Sequence, residues 1–205
     1  MITHHPNEAT LASYAAGTLS AGMAIVVATH LTFCPSCLAI AVLAESVGGA
    51  LLDELPPVSM APGSLDRVLA RTEMPAPRPS PLPVREPGLP PPLNRCTFGA
   101  WRHLTFGMRV RPLMTADRCW AGLVEGAAGR TLPAHAHKGA EFTCVLSGAF
   151  SDQIGHYGPG DLVEVDAGIE HQPVTDSTGP CLCIIATEGI RLHGALGLAQ
   201  RVLGW

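Results

Sequence analysis

The first third of this 205-residue chain has little charge, and no basic side chain occurs before Arg67. Six acidic and two basic residues precede residue 75, whereas eleven of each follow it. A surface that binds nucleic acid needs clustered lysine and arginine, so direct contact with nucleic acid is not predicted. An acidic module beside a neutral one instead suits a basic protein partner, such as a DNA-binding protein.

The N-terminus also lacks a secretory signal, because no basic region precedes an apolar core and a small-residue cleavage site. The seven cysteines are therefore not expected to form a disulfide framework, and we predict a cytoplasmic protein. Residues 21–44 are uncharged and long enough to cross a bilayer. However, His30 and the sequence CPSC would lie near mid-depth without flanking lysine or arginine, so we predict no membrane span.

A proline-rich sequence, PAPRPSPLPVREPGLPPP at residues 75–92, divides the chain. It has no apolar periodicity and is typical of an extended spacer between domains. We therefore predict a helical domain at 1–74, a linker at 75–94 and a second domain at 95–205. The expected fold class is α+β in two domains, a small all-α domain followed by an all-β domain.

Before the linker the sequence pattern is helical. Asn7 and Ser20 are suited to cap the first two helices, a third is predicted from Pro35 to Gly48, and a short fourth covers SLDRVLART at 64–72. The second and third helices are apolar nearly all round, so four short helices cannot hide every apolar face from water. The remaining apolar surface predicts a partner helix or groove.

After the linker, short β-type runs are separated by glycine and proline. They are RCWAGLVEG, EFTCVLSGAFS, DLVEVDAG and CLCIIATEG. Such spacing without intervening helices predicts a double-sheet or barrel domain. The alternation of apolar and polar residues within the runs indicates half-buried strands.

The sequence HLTFCPSC contains the pattern HxxxCxxC at His30, Cys34 and Cys37. Because it spans the junction of two predicted helices, the three side chains can converge on one ion. Zinc favours imidazole and thiolate ligands and needs a fourth, for which the spacing leaves His4 and His5 equally available. Two alternatives are buried cysteines beside a core histidine, and a redox CxxC, which usually follows a strand in a βαβ unit that is absent here.

This small helical unit resembles the zinc-binding anti-sigma domain that holds extracytoplasmic-function sigma factors inactive. The resemblance depends on His5 together with HLTFCPSC in surroundings of low charge. It implies that His5, His30, Cys34 and Cys37 bind a structural zinc ion. It further implies that the helices clasp the sigma factor and block its binding to RNA polymerase.

The sequence PAHAHKGAEFTCVLSG contains a second group of metal-type ligands. His135 and His137 are two residues apart, so on a strand both imidazoles point to the same face. Together with Glu141, Gly148 and a distant His171, they resemble the cupin double motif, which includes a GPGD turn.

The cupin resemblance covers about residues 96–190 and implies a jelly-roll barrel, also called a double-stranded β-helix. It implies that His135, His137, Glu141 and His171 bind a second divalent metal. Zinc is preferred, but three imidazoles and a carboxylate also suit iron, manganese or nickel. The sequence departs from the motif at 166–168, where Asp-Ala-Gly replaces the usual proline. The alternative is a loop with exposed histidines.

The order of zinc module, proline linker and cupin resembles the ChrR-type anti-sigma factors along nearly the whole chain. The resemblance implies that the first module inhibits an extracytoplasmic-function sigma factor. It also implies that the cupin is needed for release in response to an oxidant such as singlet oxygen. The chain is therefore not expected to be an enzyme. The alternative is a cupin metalloenzyme of dioxygenase or isomerase type with an accessory zinc domain, but no general acid or base is identifiable because Glu141 is needed for the metal.

The remaining cysteines and histidines have no predicted functional role. The cysteines are interpreted as small buried core residues, although the closely spaced last two could be oxidised near a metal. The histidines show no partner spacing. The residues concerned are Cys119, Cys144, Cys181, Cys183, His103, His156 and His193.

Overall fold

The computed structural model describes residues 1–75, 88–104, 107–114 and 119–192. Within these ranges four helices are followed by twelve strands in three antiparallel sheets. The helices are α1 (Glu8–Ala15), α2 (Ala21–Leu31), α3 (Pro35–Asp53) and α4 (Ser64–Thr72). The strands are β1 (Arg102–His103), β2 (Met108–Pro112), β3 (Trp120–Gly126), β4 (His135–His137), β5 (Glu141–Ser147), β6 (Phe150–Ser151), β7 (His156–Tyr157), β8 (Leu162–Val165), β9 (Glu170–His171), β10 (Val174–Thr175), β11 (Cys181–Thr187) and β12 (Ile190–Leu192).

The starts of α1 and α2 follow local capping chemistry. The Asn7 side chain accepts a hydrogen bond from the backbone N–H of Thr10 at 2.8 Å. Ser20 Oγ accepts one from the N–H of Met23 at 3.3 Å. Each cap satisfies a backbone donor that the helix leaves free and stabilises it by about 1 kcal/mol. Both predicted N-caps are confirmed.

The predicted end of α3 at Gly48 is wrong, because the helix continues to Asp53. A glycine ends a helix when it takes a positive φ, but Gly48 and Gly49 keep the helical conformation. Glycine within a helix costs about 1 kcal/mol relative to alanine, which a 19-residue helix tolerates.

The uncharged run at 21–44 is not one continuous helix. α2 ends at Leu31, and α3 begins at Pro35, whose ring suits the first helical turn. Among the described residues α3 alone is long and apolar enough, by length and composition, to cross a membrane, and 11% of this stretch is buried.

The β domain places one large sheet against two small ones. The six-stranded sheet has the order β1-β2-β3-β11-β5-β8, and the small sheets have the orders β10-β6-β7 and β12-β4-β9. The four predicted strand runs are confirmed as β3, β5 with β6, β8 and β11, and the second run divides at Gly148, whose φ is +71°. Between the sheets lies a buried cluster formed by Val145, Phe150, Tyr157, Cys181 and Cys183.

The opposite face of the large sheet is covered by α2. Val26 and Val27 of α2 are fully buried in the same core cluster as Phe142 and Ile184 of the sheet. A Cβ atom at Gly22 would lie 3.0 Å from the Cβ of Ala121, so glycine permits the close approach of helix and sheet. Each fully buried valine contributes about 1.5–3 kcal/mol.

The expectation that the strands are half-buried is therefore wrong for β5, whose first five residues are all buried. Alternate β5 side chains pack between the sheets and against α2, so both faces are covered. The domain bounds 1–74, 75–94 and 95–205 stay a prediction. Residues 76–87 of the linker and 193–205 lie outside the described residues.

Candidate metal centres and partner surface

The four residues of the first cluster come from three elements. His5 precedes α1, His30 lies in the last turn of α2, and Cys34 and Cys37 lie at the start of α3. One ligand atom from each residue lies within 4.8 Å of all the others. His5 Nδ1 is 3.4 Å from Cys34 Sγ and 3.3 Å from Cys37 Sγ. A His₂Cys₂ set of this kind fits a structural zinc site.

His30 is oriented for ligation by a hydrogen bond to the β domain. Its Nδ1 lies 2.7 Å from the carbonyl oxygen of Gly160 and donates to it. The other ring nitrogen, Nε2, is buried and has no hydrogen-bond partner among the described residues. A buried polar atom without a partner costs free energy unless a ligand satisfies it, and a zinc ion would do so. The lack of a partner at Nε2 therefore favours His30 as a metal ligand over the alternative of a hydrogen-bonded core histidine.

His4, the alternative fourth ligand, lies elsewhere. Its ring packs on that of Tyr157, with the centroids 4.6 Å apart, and its Nδ1 is 3.7 Å from Asp161 Oδ2. The structure thus brings His5, and not its neighbour, to the cysteines.

The two thiols of the first cluster have opposite pKa shifts. Burial, with the hydrogen bond and charge of the neighbouring Cys34, raises the pKa of the Cys37 thiol to about 11. Burial also disfavours ionisation of Cys34, but the hydrogen bond with Ser36 leads the contributions that lower the pKa of that thiol. Only one thiolate is therefore favoured without a nearby cation, and a divalent ion would allow both.

The second cluster lies between the sheets of the β domain. Its ligand atoms also lie within 4.8 Å of one another, and all four residues are buried. The Nε2 atoms of His135 and His137 are each 3.1 Å from Nε2 of His171, and Nδ1 of His137 is 3.4 Å from Glu141 Oε2. β4 and β9 carry the histidines, and β5 carries the carboxylate. Three imidazoles and one carboxylate fit a divalent metal without selecting which one.

Two of these histidines are held in orientation by hydrogen bonds from Nδ1, the ring nitrogen on the side away from the other ligands. His135 Nδ1 lies 2.9 Å from the carbonyl oxygen of Pro133, to which it donates. His171 Nδ1 lies 2.9 Å from Asp152 Oδ2, and the Asp152 side chain is 1% exposed. Such bonds fix the ring orientation of metal-ligating histidines. No sequence pattern pointed to Asp152, because the residue lies 19 positions from His171 and belongs to no motif.

Burial shifts the ionisation of the second cluster in two directions. It raises the pKa of Glu141 to about 7. It lowers the pKa of His137 to about 4, with the charges of His135 and His171 acting in the same direction. The pKa of His135 is also lowered, mainly by burial. His137 therefore stays neutral near pH 6, whereas Glu141 takes up a proton there.

Metal binding at the second cluster should weaken on acidification through Glu141. The carboxyl must lose its proton to ligate, so below about pH 7 the apparent affinity should fall by about tenfold per pH unit. Competition with a chromogenic chelator between pH 5.5 and 8 measures the slope. Glu141→Gln should flatten it, and an unchanged slope in that variant would contradict the assignment of the titrating group.

The helical part presents an open apolar surface, the α1–α3 groove. Ala12 and Ala15 of α1 and Ala16, the C-cap residue of that helix, line one side, and Ile40, Leu43, Ala44, Val47 and Leu51 line it from α3. Leu43 and Leu51 are 65% and 61% exposed. Helix α4 adds exposed Leu65, Val68 and Leu69 and has no buried residue. Apolar surface of this extent marks an interaction site, as predicted.

The residues without a predicted role lie as follows. The four cysteines are buried in the two core clusters, and the Sγ atoms of Cys181 and Cys183 are 3.7 Å apart. His156 pairs with Asp176 at the surface, with Nε2 and Oδ2 3.2 Å apart. His193 lies outside the described residues.

Comparisons with known proteins match both parts of the chain. Residues 95–190 match the family model described as the ChrR cupin-like domain. The anti-sigma-E factor ChrR of Cereibacter sphaeroides is 40% identical over 192 residues, which cover 91% of this chain and 90% of the relative. The crystal structure of Rhodobacter sphaeroides SigE in complex with the anti-sigma ChrR aligns with a TM-score of 0.79. In that alignment the sequence identity is 38%, and it covers 91% of this chain and 99% of the matched chain of the complex.

Proposed function

The chain belongs to the ChrR family of anti-sigma factors, and from that premise we propose that it binds an extracytoplasmic-function sigma factor and inhibits it. The observation that carries the proposal is the identity of 40% over 91% of the chain, which includes both the helices and the cupin. The acidic character of residues 1–74 suits a DNA-binding partner, which is basic where it contacts DNA.

The α1–α3 groove is the surface proposed to bind the sigma factor, and the exposed apolar residues of α4 are available to the same partner. An amphipathic partner helix can bury Leu43, Val47 and Leu51, which otherwise remain in contact with water. Removal of these apolar side chains from water on binding is favourable and would supply part of the binding free energy. This occupant also accounts for the apolarity of α3 without a membrane.

Zinc at His5, His30, Cys34 and Cys37 is proposed to hold the groove in shape. Within the described residues α3 has only two buried side chains, Cys37 and Ala41, so its own packing anchors it weakly. Ligation at its first turn would fix it relative to α2 and to the segment before α1. The metal therefore has a structural role in this proposal.

The cupin is proposed to bind a second divalent metal, preferably zinc, through His135, His137, Glu141 and His171. Its role is to permit release of the sigma factor in response to an oxidant such as singlet oxygen. The support for a sensing role is the burial of all four ligands together with the contacts of the cupin to α2 and to the N-terminal residues. The proposed location is the cytoplasm, where the sigma factor meets RNA polymerase.

Loss of the second metal should leave inhibition intact and prevent release of the sigma factor. In the full-length protein, the double substitution His135→Ala and Glu141→Ala should leave inhibition of a sigma-dependent promoter within about twofold, because the groove lies outside the β domain. Induction by light with a photosensitiser should be lost. His103→Ala, at an exposed histidine of β1, is the matched control and should induce normally. Loss of inhibition itself in the double variant would contradict this division of roles.

A catalytic cupin is the alternative, and it requires an open position at the metal for a substrate. The four ligands are between 0 and 8% exposed, which favours a metal enclosed by protein over one that binds substrates. Oxygen uptake by the metal-loaded protein with a panel of small diketones and carbonyl compounds tests this alternative. Turnover there would replace the sensing role of the cupin by an enzymatic one.

A further inference from the structure

The segment Ile2–Asn7, here called the N-terminal segment, is bound to the edge of the large sheet. The backbone N–H groups of Thr3 and His4 donate to Asp161 Oδ1 at 2.7 and 2.9 Å, and Leu162 N–H donates to the His4 carbonyl at 3.1 Å. Asn7 donates to Glu164 through its backbone and its side chain. Since β8 ends the strand order, the segment covers an edge that would otherwise expose unpaired backbone groups.

The N-terminal segment contains one residue of the first metal centre. The turn before β8, on which the segment docks, is hydrogen-bonded to a second residue of that centre. His5 lies within the segment, and His30 donates to the carbonyl of Gly160, one residue before Asp161. Gly160 has a φ of +91°, and a Cβ there would lie 2.9 Å from Cδ1 of Ile2. The turn before β8 is therefore shaped to receive the segment, and undocking would withdraw His5 from the cysteines.

A single buried carboxylate, that of Asp152, connects the second metal centre to the part of the cupin beside the N-terminal segment. Asp152 Oδ2 accepts from His171 Nδ1 at 2.9 Å, while Oδ1 accepts from the backbone of Ile154 and Gly155 at 2.8 and 3.1 Å. Oδ1 also accepts from the Tyr157 hydroxyl at 3.4 Å. One side chain thus fixes the ring of a metal ligand, a turn and a buried tyrosine.

Tyr157 completes the connection to the N-terminal segment. Its ring packs on that of His4, with the centroids 4.6 Å apart and the planes inclined by 60°. Burial, and then the negative charge of Asp152, raises the pKa of Tyr157 to about 12, so the hydroxyl stays protonated and donates at neutral pH. His4 is the neighbour of His5 in the chain, so the series of contacts from His171 ends beside the first metal centre.

We propose that Asp152 is a positioning residue that couples the two metal centres, so that metal at the cupin site and docking of the N-terminal segment favour each other. The two-state element is the segment, which is either docked on β8 or released. The inference depends on the proposed metal ligands but not on inhibition of a sigma factor. Because coupling of binding equilibria is reciprocal, loss of either metal should weaken retention of the other by the same factor.

The first test is hydrogen exchange on the full-length, metal-loaded protein, followed by mass spectrometry of peptides from residues 1–12. His135→Ala, which removes a cupin ligand and leaves Asp152 intact, should raise their exchange by about tenfold. Asp152→Ala should do the same, and in the His135→Ala background it should add little. Hydrogen exchange detects open states even when they are rare. An increase of about tenfold in opening therefore leaves the segment docked in most molecules, and inhibition persists.

Two further variants separate coupling from a local structural role. Tyr157→Phe removes one hydroxyl without touching a metal ligand and should raise exchange of the same peptides by about threefold while the cupin keeps its metal. Asp176→Asn is the matched control, because Asp176 also pairs with a histidine, His156, but at the surface, and it should change nothing. Exchange in β5 and β11 must stay slow in every variant, which verifies the fold.

The second test measures the affinity of the first centre for zinc, by competition with a chromogenic chelator. His135→Ala and Asp152→Ala should each lower this affinity by about the same factor, near tenfold. Equal exchange and equal zinc affinity with and without the cupin metal would overturn the proposal, even if Asp152→Ala alone loosened the turn. These results need no sigma factor, so failure here is distinct from failure of the anti-sigma function.

Discussion

Replacement of Cys37 by serine is expected to remove the zinc of the first centre and, with it, binding of the sigma factor. Structural zinc sites supply apparent binding free energies of about 10–16 kcal/mol, comparable to the whole stability of a domain. Cys37 is one of only two buried residues of α3 within the described residues. Without the metal, α3 loses its link to α2 and to the segment before α1, so the groove should lose its shape.

Metal analysis and a binding titration with the full-length protein measure this result. The variant should lose one equivalent of zinc, and its affinity for the sigma factor should fall by at least about a hundredfold. Cys96→Ser is the matched control, because Cys96 is half-buried, belongs to neither ligand cluster and has a thiol that donates to the carbonyl of Pro92 at 3.7 Å. A Cys37→Ser protein that keeps both its zinc and its affinity would refute the structural role of this site.

Introduction of a carboxylate into the α1–α3 groove is expected to have the other large effect. Leu51 is 61% exposed, so Leu51→Asp should leave the fold and the zinc content of the free protein unchanged. In the complex the new carboxylate would be buried against apolar groups without a partner. Such burial costs several kcal/mol, which corresponds to a loss of affinity of about a hundredfold or more.

Ser46→Asp provides the control for charge, since it adds the same group to α3 outside the set of groove residues. Ser46 is exposed, and its hydroxyl donates to the carbonyl of Val42. This variant should bind the sigma factor within about threefold of the unsubstituted protein. Equal losses in Ser46→Asp and Leu51→Asp would point to a general effect of charge and would remove the groove from the binding surface.

Features encoded by short stretches of sequence could be predicted. The caps at Asn7 and Ser20, the start of α3 at Pro35 and the four main strands follow from local chemistry and periodicity. The spacings HxxxCxxC and HxH singled out His30, Cys34, Cys37, His135 and His137, whereas Glu141 and His171 were assigned through the resemblance to the cupin motif. The fourth residue of the first cluster was different, since adjacent His4 and His5 have equal reach, and only the resemblance to a family favoured His5.

Features that depend on contacts distant in sequence could not be predicted. The burial of both faces of β5 arises because α2, about 115 residues earlier, covers the large sheet. Asp152 supports His171 from an irregular turn, where no periodicity marks a functional carboxylate. The glycines at 48 and 49 suggested a helix end, but glycine stops a helix only where a positive φ forms, which a sequence pattern does not reveal.

Inhibition of a sigma factor is tested most directly by transcription with purified components. RNA polymerase, the extracytoplasmic-function sigma factor proposed as the partner and a promoter that it recognises are combined with increasing amounts of the full-length, zinc-loaded protein. This inhibition predicts that transcription falls to background near one equivalent per sigma factor, while the Leu51→Asp protein has little effect. Undiminished transcription in the presence of excess folded, zinc-loaded protein would contradict it.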